Sequence, residues 1–297
     1  MLEEALRHFI NPYYIQVLTL LGIYIVAAIG LHLITGVTGQ LSFGHAAFLG
    51  IGAYTAAICT MQLGVPYLLA LLAAGVMAAL AGVLVGFPSL RLTGDYLGIA
   101  TLGFGEIVRV IFTNLEITGG ARGLAGIPRK TDIVIVYLAV VLTIWAVYRL
   151  QKSRYGRALA AVREDEIAAE CMGVNSLWYK VSAFAIGSFI AGVAGGLYAH
   201  FLQYLNPVDF GFARSFEILT FVVLGGLGSL PGVILGTTVL GLAPEILRFG
   251  AVYRMMLYGV LMVLVMIFRP QGLLGGLNLA QVWRRIVRGG RPRVPAA

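Results

Sequence analysis

Eight apolar stretches dominate this chain, at about 15 to 34, 46 to 62, 67 to 87, 96 to 114, 132 to 150, 181 to 201, 216 to 247 and 252 to 268. A hydrocarbon core roughly 30 Å thick is crossed by about 20 apolar residues in a helix, and every stretch but 216 to 247 has about that length. With 59% hydrophobic and 11% charged residues, the 297-residue chain has too few charges to clothe a soluble core, which normally carries about 25%. Disorder is excluded by the same apolarity. An outer-membrane barrel would alternate polar and apolar residues over about ten positions, and these stretches do not alternate. The expected fold class is all-α, a polytopic integral membrane protein with eight or nine transmembrane helices.

The stretch 216 to 247 is too long for one ordinary span and is interrupted by Gly225, Gly226, Gly228 and Pro231, which predicts two half-helices or a hairpin. Charge supports the hairpin. The net charge of +8 comes largely from a tail holding Arg269, Arg284, Arg285, Arg288, Arg291 and Arg293 without an acid, so basic residues beyond a last span explain it without nucleic acid. The largest polar interruption contains Arg149, Lys152, Arg154, Arg157, Arg163 and Lys180 and is assigned to the same, cytoplasmic side. An even number of crossings must then separate the two regions, which requires 216 to 247 to cross twice. Parity puts the N-terminus outside, and it also puts the 116 to 131 loop outside, mildly against its own basic residues. The N-terminal MLEEALRHFINPYY lacks the basic start and cleavage site of a signal peptide, so the first apolar run is expected to stay. Cys59 and Cys171 make neither a disulfide nor a metal-ligand pattern.

Four segments are not ordinary apolar helix. Gly36 to His45 is glycine-rich and runs straight into an apolar helix; it reads either as a tight inter-helix turn or as a pathway break whose backbone polar groups face a cavity. Gly39 and Gly44 have the outer spacing of a P-loop, but His45 and Ala46 stand where Lys and Ser or Thr belong, so phosphate binding is not supported. Glu106 and Arg109 sit three apart inside a span and can pair; they either line a path or neutralise each other near a helix end. Residues 118 to 128 read as a connector or as a ligand- or partner-facing loop, and Glu217 and Glu245 are expected at the interface. Residues 156 to 180 are alanine-rich with Gly173 as a helix stop, and their mixed charges suit either docking or plain solvation. His8, His32, His45 and His200 are scattered and no serine lies in a G-x-S-x-G, so catalysis by this chain is not expected and no metal site is assigned.

On GLHLITGVTGQLSFGHAAFLGIGAYTAA at 30 to 57, LRLTGDYLGIATLGFGEIVRVIFTNLEITGGARGLAGIP at 90 to 128, GRALAAVREDEIAAECMGVN at 156 to 175, SFEILTFVVLGGLGSLPGVILG at 215 to 236 and FRPQGLLG at 268 to 275, the chain resembles the permease subunits of branched-chain amino acid ATP-binding-cassette importers. The likeness is to the LivM type of the LivH and LivM pair and covers nearly the whole chain.

The resemblance implies a subunit of the bacterial inner membrane that moves leucine, isoleucine or valine by alternating access. Its implied partners are a second permease of the LivH type, two cytoplasmic ATPases of the LivG and LivF type, a periplasmic amino-acid-binding protein and membrane lipid. No cofactor is expected on this chain; ATP and Mg act in the ATPases. It implies that Arg163, Glu164, Asp165, Glu166 and Gly173 couple to the ATPases. Thr118, Gly119, Gly120, Arg122 and Gly123 would face the binding protein, and Gly39, Gln40, Ser42, Gly44 and His45, with Glu106 and Arg109, would lie along the path. The expected organisation is one permease domain over 1 to 275, with its coupling region at about 152 to 178, and a basic cytoplasmic tail over 276 to 297. Two rival readings are a related permease for urea, amides or other amino acids, and an ion-coupled secondary transporter or channel.

Overall fold

A computed structural model describes residues 12 to 89 and 94 to 246, with Gly259 and Val263. The rest of the expected 252 to 268 segment, the basic tail and the first eleven residues lie outside the described residues. Helix α1 (Pro12–Leu31) continues as a π-helix (His32–Val37), and an irregular stretch leads to α2 (His45–Met61), α3 (Tyr67–Ser89) and α4 (Asp95–Asn114). Two short 3-10 turns and strand β1 (Leu124–Ala125) precede α5 (Ile133–Lys152), α6 (Arg154–Glu164) and α7 (Glu166–Cys171). Helix α8 (Ser176–Leu202) leads through β2 (Tyr204–Leu205) and a 3-10 turn (Pro207–Phe210) to α9 (Phe212–Gly225) and α10 (Leu230–Ile246).

Five helices among the described residues are long and apolar enough to cross a membrane, those of α1 with its π-helix, α3, α4, α5 and α8, while α2 and α10 are apolar but shorter. Helix α2 is short because it starts inside the bundle: His45 Nε2 lies 3.0 Å from the carbonyl oxygen of Ala27, well along α1. Of these five, the most enclosed are α1 and α8. Lipid tails are as apolar as leucine, so burial alone does not drive helices together in a membrane and close packing has to. Small residues provide it on α8: a Cβ on Gly195 would lie 1.9 Å from the carbonyl oxygen of Leu49 on α2, and one on Gly192 would lie 2.5 Å from that of Ala74 on α3. Neither position has room for any other residue.

The two ends of the bundle differ in construction. At one end Tyr13, Gln16, Arg129 and Gln203 line a common pocket, Tyr13 hydrogen-bonds to Glu245, and β1 pairs antiparallel with β2 in the register Leu124 to Leu205. At the other end the tip of the α9–α10 hairpin reaches the π-helix, where a Cβ on Gly36 would lie 2.3 Å from the carbonyl oxygen of Leu227. Helix α10 therefore runs from this tip back to the Tyr13 end, while the 14-residue α9 begins inside the bundle, where Ser215 meets Ala46, and descends to the tip. Helix α9 ends on Gly226, whose φ of +110° only glycine adopts readily, and Ser229 caps α10 by accepting from the amide of Gly232 at 3.2 Å.

One expectation is corrected. Glu217 is not interfacial: it pairs with Arg214, which also donates to the hydroxyl of Tyr24, twelve residues and so about 18 Å along α1.

Candidate translocation and coupling site

The break after α1 is built of backbone close approaches and buried polar side chains. A Cβ on Gly44 would lie 2.1 Å from the carbonyl oxygen of Thr101, whose hydroxyl accepts from the amide of Phe43 at 3.0 Å. Ser215 at the start of α9 accepts from the amide of Ala46 at 3.0 Å, so three elements meet where α2 begins. Gln40, Ser42 and His45 are all buried. Six of the nine buried side-chain polar atoms that lack a hydrogen-bond partner among the described residues belong to His32, Thr35, Gln40, Ser42 and His45. Buried polar groups are otherwise almost always paired, and most of those left without a partner among the described residues are gathered at the break.

Glu106 and Arg109 do pair, at 2.7 Å, with about a third of each side chain exposed. A second pair, Arg214 with Glu217 at 2.8 Å, is also partly exposed. The two are neighbours: a Cβ on Gly211, one turn before Arg214, would lie 3.2 Å from Cδ of Arg109 and 3.7 Å from Oε1 of Glu106. Charges within a span do not tolerate lipid, so this face of α4 and α9 looks onto water or protein.

The polar element between α5 and α8 consists of two capped helices. Ser153 caps α6 by accepting from the amide of Gly156 at 3.2 Å, and Asp165 caps α7 by accepting from Ala168 at 3.0 Å. Gly173 has φ +84°, and its neighbour Val174 donates back to Ala169 at 3.0 Å, a left-handed helix stop. Glu166 forms an ion pair with Lys180 at the foot of α8, and Tyr155 bonds Ser182 at 2.6 Å, with burial raising its hydroxyl above the ordinary tyrosine value. Arg163 donates to the carbonyl of Gly36. Thus Asp165, Glu166 and Gly173 build the element internally, while Arg163 ties it to the break. Glu164 stays exposed. What the element presents outward includes Ile167 at 76% and Met172 at 85% exposure, two apolar side chains in a charged setting that charge-based reading passes over.

The loop after α4 is folded in on itself. Gly119, Gly120, Gly123 and Gly126 all adopt positive φ, and Gly123 packs so tightly on β2 that a Cβ would lie 2.3 Å from the carbonyl oxygen of Leu205. Thr118 corrects its expected role: it is buried, and its hydroxyl donates to the carbonyls of Phe112 and Leu115, so it anchors the loop and cannot present itself to a binding protein. Arg122 is exposed and its carbonyl accepts from Tyr204 at 2.8 Å.

A helical bundle with an interrupted first span, a broken hairpin and a polar surface element is the architecture of a multi-pass membrane protein. Residues 13 to 266 match the family described as branched-chain amino acid transport system, permease component, and the chain belongs to that family. It is a permease subunit, not an enzyme. It is 41% identical over 295 residues to the high-affinity branched-chain amino acid transport system permease protein LivM of Escherichia coli K12, covering 88% of this chain and 69% of that one. The corresponding LivM protein of Salmonella typhimurium LT2 is 40% identical over the same shares. LivH of Escherichia coli K12 is 27% identical over 95% of this chain and all of that one. Among solved structures, a chain of PsaBC from Streptococcus pneumoniae in complex with Fab has the same fold, with a TM-score of 0.50 at 14% identity over 92% of this chain and 99% of that one.

Proposed function

We propose that this chain is one permease half of an ATP-driven importer for leucine, isoleucine and valine in the bacterial inner membrane. Its partners are a second permease of the LivH type, two cytoplasmic ATPases that bind ATP and Mg, and a periplasmic binding protein. One permease domain spans 1 to 275 and the basic tail from 276 lies on the cytoplasmic side with α6 and α7. The observation that carries the reading is the α6–α7 element, capped at each helix start, pinned to α8 and the break, and displaying Ile167 and Met172 outward. An element so braced suits receiving force from a docked protein.

Glu106, Arg109, Arg214 and Glu217 supply the charged face that the second permease covers, and Gly39, Gln40, Ser42, Gly44 and His45 supply polar lining nearby. Gly119, Gly120, Arg122 and Gly123 belong to the end that receives the binding protein. Alternating access then consists of rocking the helices around the break while ATP is hydrolysed in the partner subunits. The reading is tested by co-reconstituting the chain with these partners. Uptake of leucine that needs both ATP and the loaded binding protein is expected; uptake by this chain alone, indifferent to ATP, would favour the ion-coupled reading instead. Cargo is decided in the same vesicles by competition with isoleucine, valine, urea and amides.

A further inference from the structure

One side chain from the surface helix reaches both interruptions of the bundle. Arg163, next to last in α6, donates from its Nη1 to the carbonyl oxygen of Gly36 in the π-helix. Its Cγ lies 3.1 Å from where a Cβ on Gly39 would stand, and its Nη1 lies 3.9 Å from where one on Gly228 would stand, at the hairpin tip. The same tip touches the π-helix directly through Leu227 and Gly36. The absence of a side chain at Gly39 leaves room for the stem of Arg163, which a Cβ there would crowd, while at Gly228 the guanidinium lies at ordinary contact distance.

The chemistry of the place favours a cation. Helix C-termini carry partial negative charge and leave carbonyls without intrahelical donors. Gly36 lies in the last turn of the first span, and the tip follows directly on the C-terminus of α9 at Gly225. Arginine, with five donors in a rigid fork, can hold one carbonyl while lying against a second element. Beyond Arg163 the chain passes through the extended residue Asp165 into α7, which carries the outward Ile167 and Met172. A displacement of that surface therefore reaches Arg163 within a few residues.

We propose that Arg163 is a positioning residue that passes the movement of α6 to the π-helix and the hairpin tip, so that the two breaks shift together when the ATPases act. This rests on the importer reading, and it assigns to Arg163 a contact inside the chain.

The test uses the complete importer in vesicles, reading leucine uptake and ATP hydrolysis stimulated by the loaded binding protein from the same preparation. Arg163→Ala is expected to lower uptake per ATP about tenfold, the loss of one charge-assisted hydrogen bond, and Arg163→Lys, which keeps charge without the fork, to fall between. An unchanged ratio in both variants overturns the proposal. Should Arg163→Ala fail to assemble, Arg163→Gln, which keeps a hydrogen-bond donor on a long stem, is measured in its place: a lowered uptake per ATP is expected, and an unchanged ratio overturns the proposal. A wild-type complex that ignores the loaded binding protein would instead remove the importer reading, and this proposal with it.

Discussion

Gly225 and Gly232 face each other backbone to backbone across the hairpin. A Cβ on Gly225 would lie 2.5 Å from the carbonyl oxygen of Gly232, and one on Gly232 would lie 2.2 Å from that of Gly225. Neither can move aside, because each obstacle is main chain. Gly232→Ala should destabilise the folded protein by about 1 to 3 kcal/mol, the usual cost of overpacking. Gly103→Ala, with nothing within 4 Å of the added methyl, is the matched control and should be neutral. Thermal unfolding of the purified chain in one detergent compares the two, and equal melting temperatures would contradict this packing.

For the surface element, the Glu166–Lys180 pair predicts rescue by reversal. Glu166→Lys and Lys180→Glu should each weaken ATPase co-purification, because each places like charges together at the joint between α7 and α8. The double reversal should recover most of it, with a coupling of about 0.5 to 1 kcal/mol for a partly exposed pair. A double variant as poor as the worse single one would mean that Glu166 acts on a partner directly.

Ile167 and Met172 make the sharper test of docking. Ile167→Asp or Met172→Glu removes apolar surface without touching a contact inside the chain, so stability should hold while ATPase recovery falls about tenfold. Full recovery of the ATPases with both variants would place the docking surface elsewhere.

At Gly173 the backbone, not the space, is limiting. Nothing lies within 4 Å of an added Cβ, yet φ is +84°. Gly173→Ala and Gly173→Arg should therefore cost about the same, roughly 1 to 2 kcal/mol, and Gly173→Asn less. An arginine variant far worse than the alanine one, measured by melting, would point to charge instead.

The pair inside α4 predicts non-additivity. Glu106→Gln and Arg109→Gln should each impair uptake more than the double substitution, because each alone leaves a charge within the span. Strictly additive losses in uptake would show that the 2.7 Å contact carries no coupling.

Much of this architecture can be read from residue order. The stretches expected at 67 to 87, 96 to 114 and 132 to 150 correspond to Tyr67–Ser89, Asp95–Asn114 and Ile133–Lys152, because a run of apolar residues of bilayer length has few other ways to satisfy its backbone. Gly173 and the glycines near 226 announced their stops for the same local reason. What escaped was long-range. No composition marks a switch to π-helix at His32, and nothing near Arg163 says that its partner is Gly36, 127 positions away. Asp165 looked like a docking charge and is a cap. Glu217 looked interfacial because a carboxylate at a segment edge usually is, until it is seen paired with Arg214, which in turn donates to Tyr24 well along α1.

The β1–β2 ribbon joins the segment between α4 and α5 to the segment between α8 and α9, so the ends of four helices share one stitch, made tight by Gly123 against Leu205. At the opposite end the π-helix with the irregular backbone of 38 to 44, the turn of 226 to 229 and α6 meet around Arg163 without a strand pairing. A lever pivoted at this ribbon would have its longest arm at the opposite end, which is where α6 and Arg163 sit.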